Sequence, residues 1–139
     1  MGSRTRTAIA TVGALCVALG VSACGQASST GSYKGEKKNV AQTITNLQSD
    51  ATSANAGKLC SRDLAASVLG QLESGGGSCK KVLEGQLREI DTYSLTVESI
   101  SVKGDAATAK VKSTWSGKES LHEVSFVKED GSWKISGLA

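Results

Sequence analysis

The chain contains no proline, one histidine, one methionine and one phenylalanine, and only 4% of its residues are aromatic. The missing proline excludes proline-rich linkers and proline turns. A lone histidine leaves no HExxH metal motif, and neither a P-loop nor a GxSxG elbow is present. Charge of one sign is also lacking. Sixteen basic residues against thirteen acidic ones give a net charge of +3, too balanced for a nucleic-acid partner, which calls for a clustered basic face. Long hydrophobic runs are absent too. The longest, residues 8–21, falls short of the roughly 20 residues that cross a bilayer as a helix. At 139 residues the chain is long enough for one domain.

What is present begins with an address. Arg4 and Arg6 precede the apolar run, and small residues follow it. A basic segment, a short apolar segment and a small-residue break describe a secretory signal peptide over residues 1–23. The break reads Val21-Ser22-Ala23-Cys24 and resembles the bacterial lipobox. That resemblance implies cleavage before Cys24 and attachment of diacylglycerol to its thiol, with a fatty acyl group such as palmitate on the new amino terminus. The alternative is an ordinary signal peptide with a free Cys24. One chain holds a protein to a membrane only marginally, whereas two or three hold it durably. Loss of Arg4 and Arg6 leaves fourteen basic against thirteen acidic residues, so anchoring would come from lipid rather than charge. The expected location is the extracytoplasmic face of the cell membrane.

Residues 24–38 are rich in Gly, Ser, Thr and Lys, with Tyr33 the one large apolar side chain. Such a segment buries too little surface to offset ordering entropy and reads as a flexible tether. Cys16 leaves with the signal peptide and Cys24 takes the lipid. Cys60 and Cys79 remain as a pair in an oxidising compartment, and a disulfide is expected. A metal site or redox pair is the alternative, but no histidine lies nearby and there is no CxxC. No metal and no cofactor are expected.

From Asn39 the apolar residues Val40, Ile44, Leu47 and Ala51 recur at helical spacing. Asn39 is the expected N-cap and Asn55-Ala56-Gly57 the expected end. A second helix is expected over 62–72 with Ser61 as its cap, carrying Leu64, Val68, Leu69 and Leu72 inward. A third, capped by Ser78, is expected over 79–90. After Asp91 the period becomes two. Tyr93, Leu95 and Val97 alternate, and Ile100 and Val102 continue out of phase, which predicts a β-bulge between them. Ala107, Ala109, Val111, Ser113 and Trp115 share one face of the next strand. His122, Val124 and Phe126 share one face of the third, and Trp133 and Ile135 belong to the fourth. Turns are expected at Gly104, Gly117 and Asp130-Gly131. The fold class is α+β: three N-terminal helices packed on a curved four-stranded antiparallel sheet, spanning residues 39–139.

Several segments carry a resemblance: the run from Asn55 to Cys60, the glycine-rich loop before Cys79, the turn at Val102-Lys103-Gly104-Asp105-Ala106-Ala107, and the closing stretch from Val127 to Ile135. With the lipobox, these resemble small actinobacterial lipoproteins carrying a nuclear transport factor two-like domain, also described as ketosteroid isomerase-like or SnoaL-like. The resemblance implies a cone-shaped fold. It also implies that an enzyme of this kind would hold its acid or base inside the cone, where Asp91, Tyr93 and His122 are the candidates. A general base needs an orienting partner, and none stands at a paired spacing in the sequence. The expected function is therefore non-catalytic: a membrane-anchored lipoprotein presenting its domain to a small apolar ligand or an envelope protein. The alternative is a small isomerase- or hydratase-like enzyme. A filled or shallow cone favours the first, and a buried polar cavity favours the second.

Overall fold

The computed structural model describes residues 30–90 and 92–139. Residues 1–29, and with them the expected signal peptide and Cys24, lie outside the described residues, as does Asp91. Among the described residues four α-helices precede four strands. They are α1 (Glu36–Thr52), α2 (Ala56–Lys58), α3 (Ala66–Glu73) and α4 (Cys79–Leu87), then β1 (Tyr93–Lys103), β2 (Ala106–Trp115), β3 (Lys118–Glu129) and β4 (Ser132–Leu138). The strands form an antiparallel meander in the order β1-β2-β3-β4.

Each hairpin is closed by two residues, because Lys103 pairs with Ala106, Trp115 with Lys118, and Glu129 with Ser132. Two-residue turns that match the strand twist need positive φ. Ser116-Gly117 and Asp130-Gly131 supply it, with φ of 50° and 75°, and 51° and 79°. The expected bulge is present: the β1–β2 register shifts between Val97 and Ser99. Glu98 is the extra residue, so Leu95 and Val97 before it and Ile100 after it all face inward.

The core forms where α1 crosses the concave face of the sheet. Val40, Ala41 and Ile44 are buried at its centre against Val111, Val124, Phe126, Trp133 and Ile135. A smaller cluster of Ala51, Ala56, Leu59 and Leu87 joins the helices to one another. Polar ties fix α1 at both ends. Near its start, Glu36 accepts hydrogen bonds from Lys128 Nζ at 2.9 Å and from Trp133 Nε1. Near its end, the Gln48 side chain accepts from the Leu95 amide at 2.9 Å.

The helical boundaries differ from the sequence expectation in ways that tertiary contacts explain. α1 begins at Glu36 after Gly35, whose φ is 58°, and Asn39 lies inside its first turn rather than capping it. Tyr33, assigned to the tether by composition, packs against the core. Asn55 does not end a helix. Its Oδ1 accepts from the Lys58 amide at 3.1 Å and opens α2. The second helix expected over 62–72 is split. α2 runs into a π-helical turn, Leu59–Asp63, and α3 starts only at Ala66. Between them the backbone is drawn to the sheet edge, where Leu64 bridges Ile135 in parallel and the Ala65 amide donates to Ile135 O at 2.8 Å. Ser61 is therefore no cap, and none of the residues of α3 is fully buried. Ser78 does cap α4 through the Lys81 amide. The Cys60 and Cys79 sulfurs are bonded, with the Cα atoms 6.1 Å apart, tying the π-helical turn to the first residue of α4.

Candidate functional site

The strand register arranges the concave face in rows. Tyr93, Trp115 and Lys118 are cross-strand neighbours in the outermost row. Leu95, Ser113 and Ser120 make the second row, and Val97, Val111 and His122 the third. Directly opposite residues share a face, so the composition changes steadily with depth. Beyond the third row the face is apolar and covered by α1. In the outer rows Tyr93 and Leu95 of β1 still pack against the helices, but toward β2 and β3 the face opens into a hollow of about 530 Å³ lined by Tyr93, Ser113, Trp115, Lys118, Ser120 and His122, with Ser116 among the lining residues. Deeper, between Leu47, Tyr93, Val111 and His122, only about 30 Å³ remains, room for little more than a water molecule. The cone is thus filled at its narrow end and hollow at its mouth. Ligand pockets commonly measure roughly 300–1,000 Å³, and the mouth falls in that range.

Two of the three expected candidates meet here. Tyr93 and His122 line both the hollow and the small space beneath it. Burial raises the Tyr93 phenol above its ordinary range, so at neutral pH it offers a hydroxyl rather than a phenolate. His122 is exposed, and its Nε2 lies 3.1 Å from Ser113 Oγ, a partner that linear spacing does not suggest. Ser113 is buried, and its Oγ donates to Ser120 O at 3.4 Å. With the hydroxyl proton directed there, the lone pair of Oγ faces the imidazole, which then donates from Nε2. That direction suits a fixed hydrogen-bond donor and acceptor set for a ligand. It is the reverse of a base withdrawing a proton from serine. Trp115 stands on the expected face but beyond the cover of α1, and it is 54% exposed. The residues that linear reading missed are Lys118 and Ser120, which become visible only when the two-residue turn fixes the β2–β3 register.

A second polar cluster lies on the flank. Arg62 bridges two buried carboxylates, pairing with Asp50 and, from Nε, with Asp63 Oδ1 at 3.0 Å. Asp63 Oδ2 has no hydrogen-bond partner. Burial pushes the Asp63 carboxyl up to about 6, Arg62 draws it partly back, and the neighbouring Asp50 adds to the rise. The cluster joins the π-helical turn to α1 and does not reach the mouth. Among the described residues no group of histidine, cysteine and carboxylate side chains could hold a metal ion.

This architecture has known counterparts. An NTF-2 like protein of unknown function from Silicibacter pomeroyi DSS-3 superposes with a TM-score of 0.54 at 14% identity, covering 74% of this chain and 92% of its own. A variant of Rd1NTF2 with five substitutions superposes with a TM-score of 0.51 at 16% identity, covering 75% and 97%. The fold is the nuclear transport factor two-like cone. A family model described as "Putative lumazine-binding" matches residues 79–137, from α4 through most of β4. No curated protein matches the chain.

Proposed function

We propose that this protein is a membrane-anchored extracytoplasmic lipoprotein whose cone binds a small, flat, largely apolar ligand at its mouth without transforming it. The observation that carries the binding role is the hollow between Tyr93 and Trp115 above a filled cone. Two aromatic faces supply apolar contact, and Ser113 and His122 supply fixed polar contact. This combination is typical of small-molecule sites. The family match agrees in kind, since lumazine is a flat bicyclic heteroaromatic.

The anchoring role rests on the lipobox-like Val21-Ser22-Ala23-Cys24. The fold is suited to it. The chain enters α1 beside Lys128 and Trp133, whereas the mouth lies at Lys118, the other end of β3. Ten residues of strand separate them, about 33 Å at ordinary rise. A tether at the first end leaves the mouth free to face away from the lipid.

Titration of the mature protein with N-phenyl-1-naphthylamine and with lumazine, read by tryptophan quenching, tests the binding role. Saturable quenching that disappears in Trp115→Ala supports it, and no saturable binding of either compound defeats it. Mass spectrometry of the native amino terminus tests the anchor: an unmodified Cys24 refutes it. A second reading, a small isomerase- or hydratase-like enzyme, is favoured by one observation, the 3.1 Å contact of His122 with Ser113. In the other imidazole tautomer this contact would furnish a base. That reading requires His122→Gln to abolish function while leaving probe binding intact.

A further inference from the structure

The mouth has a sign of charge as well as a shape. Among the described residues, no aspartate or glutamate lines the hollow, while Lys118 does. Lys118 makes no ion pair with a described carboxylate. Its counterpart Lys112, displayed on the opposite face of the sheet, is partnered by Glu119 at 3.4 Å. The contrast arises from the register. Glu119 follows Lys118 directly, and successive strand residues point to opposite faces, so the carboxylate next in sequence neutralises the outer face and leaves the inner one basic. Of the remaining polar groups in the hollow, the Tyr93, Ser116 and Ser120 hydroxyls can donate hydrogen bonds to a ligand.

Resting on the binding role above, we propose that the mouth selects flat aromatic ligands that carry an anionic group such as a carboxylate or sulfonate. The ring lies against Tyr93 and Trp115. The anion lies toward Lys118 and the hydroxyls of Ser116 and Ser120. The proposal concerns selection among ligands, since a single exposed lysine contributes modestly and is screened by salt.

Two probes of one skeleton test it. 1-Anilinonaphthalene-8-sulfonate bears a sulfonate, and N-phenyl-1-naphthylamine is the same molecule without it. The mature wild-type protein is titrated with each at low and high salt, beside Lys118→Glu and, as a control of equal charge change on the outer face, Lys112→Glu. Expected is tighter binding of the sulfonate by about fivefold at low salt, a gap that narrows as salt rises. Lys118→Glu should weaken the sulfonate about fivefold more than the neutral probe, with Lys112→Glu altering neither. Equal affinity for the two probes overturns the proposal while leaving the binding role intact. So does a loss in Lys118→Glu that is matched by Lys112→Glu or shared equally by the neutral probe. Failure of both probes to bind the wild-type protein overturns the binding role and the selectivity with it.

Discussion

The two ends of the cone share β2 and β3 and differ in nearly every physical respect. At the narrow end Phe126, Val124 and Ile135 meet Val40 and Ile44 of α1, and all are buried. At the mouth the same β2 and β3 present Ser113, Trp115, Lys118 and His122, and a hollow remains beside them. Stability and the proposed binding role fall at opposite ends. The narrow end carries the apolar burial that holds the domain together. The mouth leaves a large side chain uncovered, with Trp115 54% exposed. Residues at the two ends should therefore respond differently to substitution.

The largest effect is expected at the narrow end. Phe126→Ala removes the largest of the fully buried side chains and should cost about 3–5 kcal/mol in denaturant unfolding. A loss comparable to that of a surface substitution would break the contrast. Next comes the flank. Removing the Cys60–Cys79 bridge, which spans a separation of 19 residues, should cost about 2–4 kcal/mol. Differential scanning calorimetry of the Cys60→Ala/Cys79→Ala double variant checks it, with probe binding at the mouth retained.

The buried Asp63 sharpens the comparison through pH. Its carboxyl stands at about 6 in the folded protein against an ordinary 3.8. The folded state therefore holds a proton that the unfolded chain has released between those values. The stability this provides is fully present below 3.8 and is lost as pH rises through about 6. The difference corresponds to at most about 3 kcal/mol. Unfolding free energies measured across that window should fall with rising pH, and Asp63→Asn should flatten the slope. A slope unchanged by that variant would contradict the assignment. The smallest stability effect belongs to the mouth. Trp115→Ala should shift unfolding by within about 0.5 kcal/mol while abolishing ligand binding. His122→Gln should weaken binding mildly and complement a deletion strain, whereas a null phenotype from a folded, processed protein would favour the enzymatic reading.

Much of the sheet was legible in the sequence because its signals are local. The Asp130-Gly131 turn, the phase slip between Val97 and Ile100, and the alternation of Ala107, Ala109 and Val111 each report on a few adjacent residues. The helices were less legible because distant partners decided their limits. Glu36 belongs to α1, and its side chain is held by Lys128 and Trp133, residues more than ninety positions away. The helix expected over 62–72 is broken where Leu64 and Ala65 are drawn onto β4. The candidate site followed the same division. Tyr93 and His122 stood out as titratable residues on alternating strands. Ser113 and Lys118 acquired a role only through cross-strand register, which a two-residue turn at Ser116-Gly117 sets and which could have been counted outward from it. The Asp50–Arg62–Asp63 cluster had no linear signal, since it depends on how the π-helical turn meets α1.

The central claim is that the mouth, and not the flank or the narrow end, receives the ligand. Backbone and side-chain NMR shift mapping of the mature protein with N-phenyl-1-naphthylamine tests it most directly. Saturable shifts are expected at Tyr93, Ser113, Trp115 and His122, with Phe126 and Asp63 unmoved. Shifts centred on Asp63, Arg62 and Trp133, or none at the mouth at saturating probe, would contradict it.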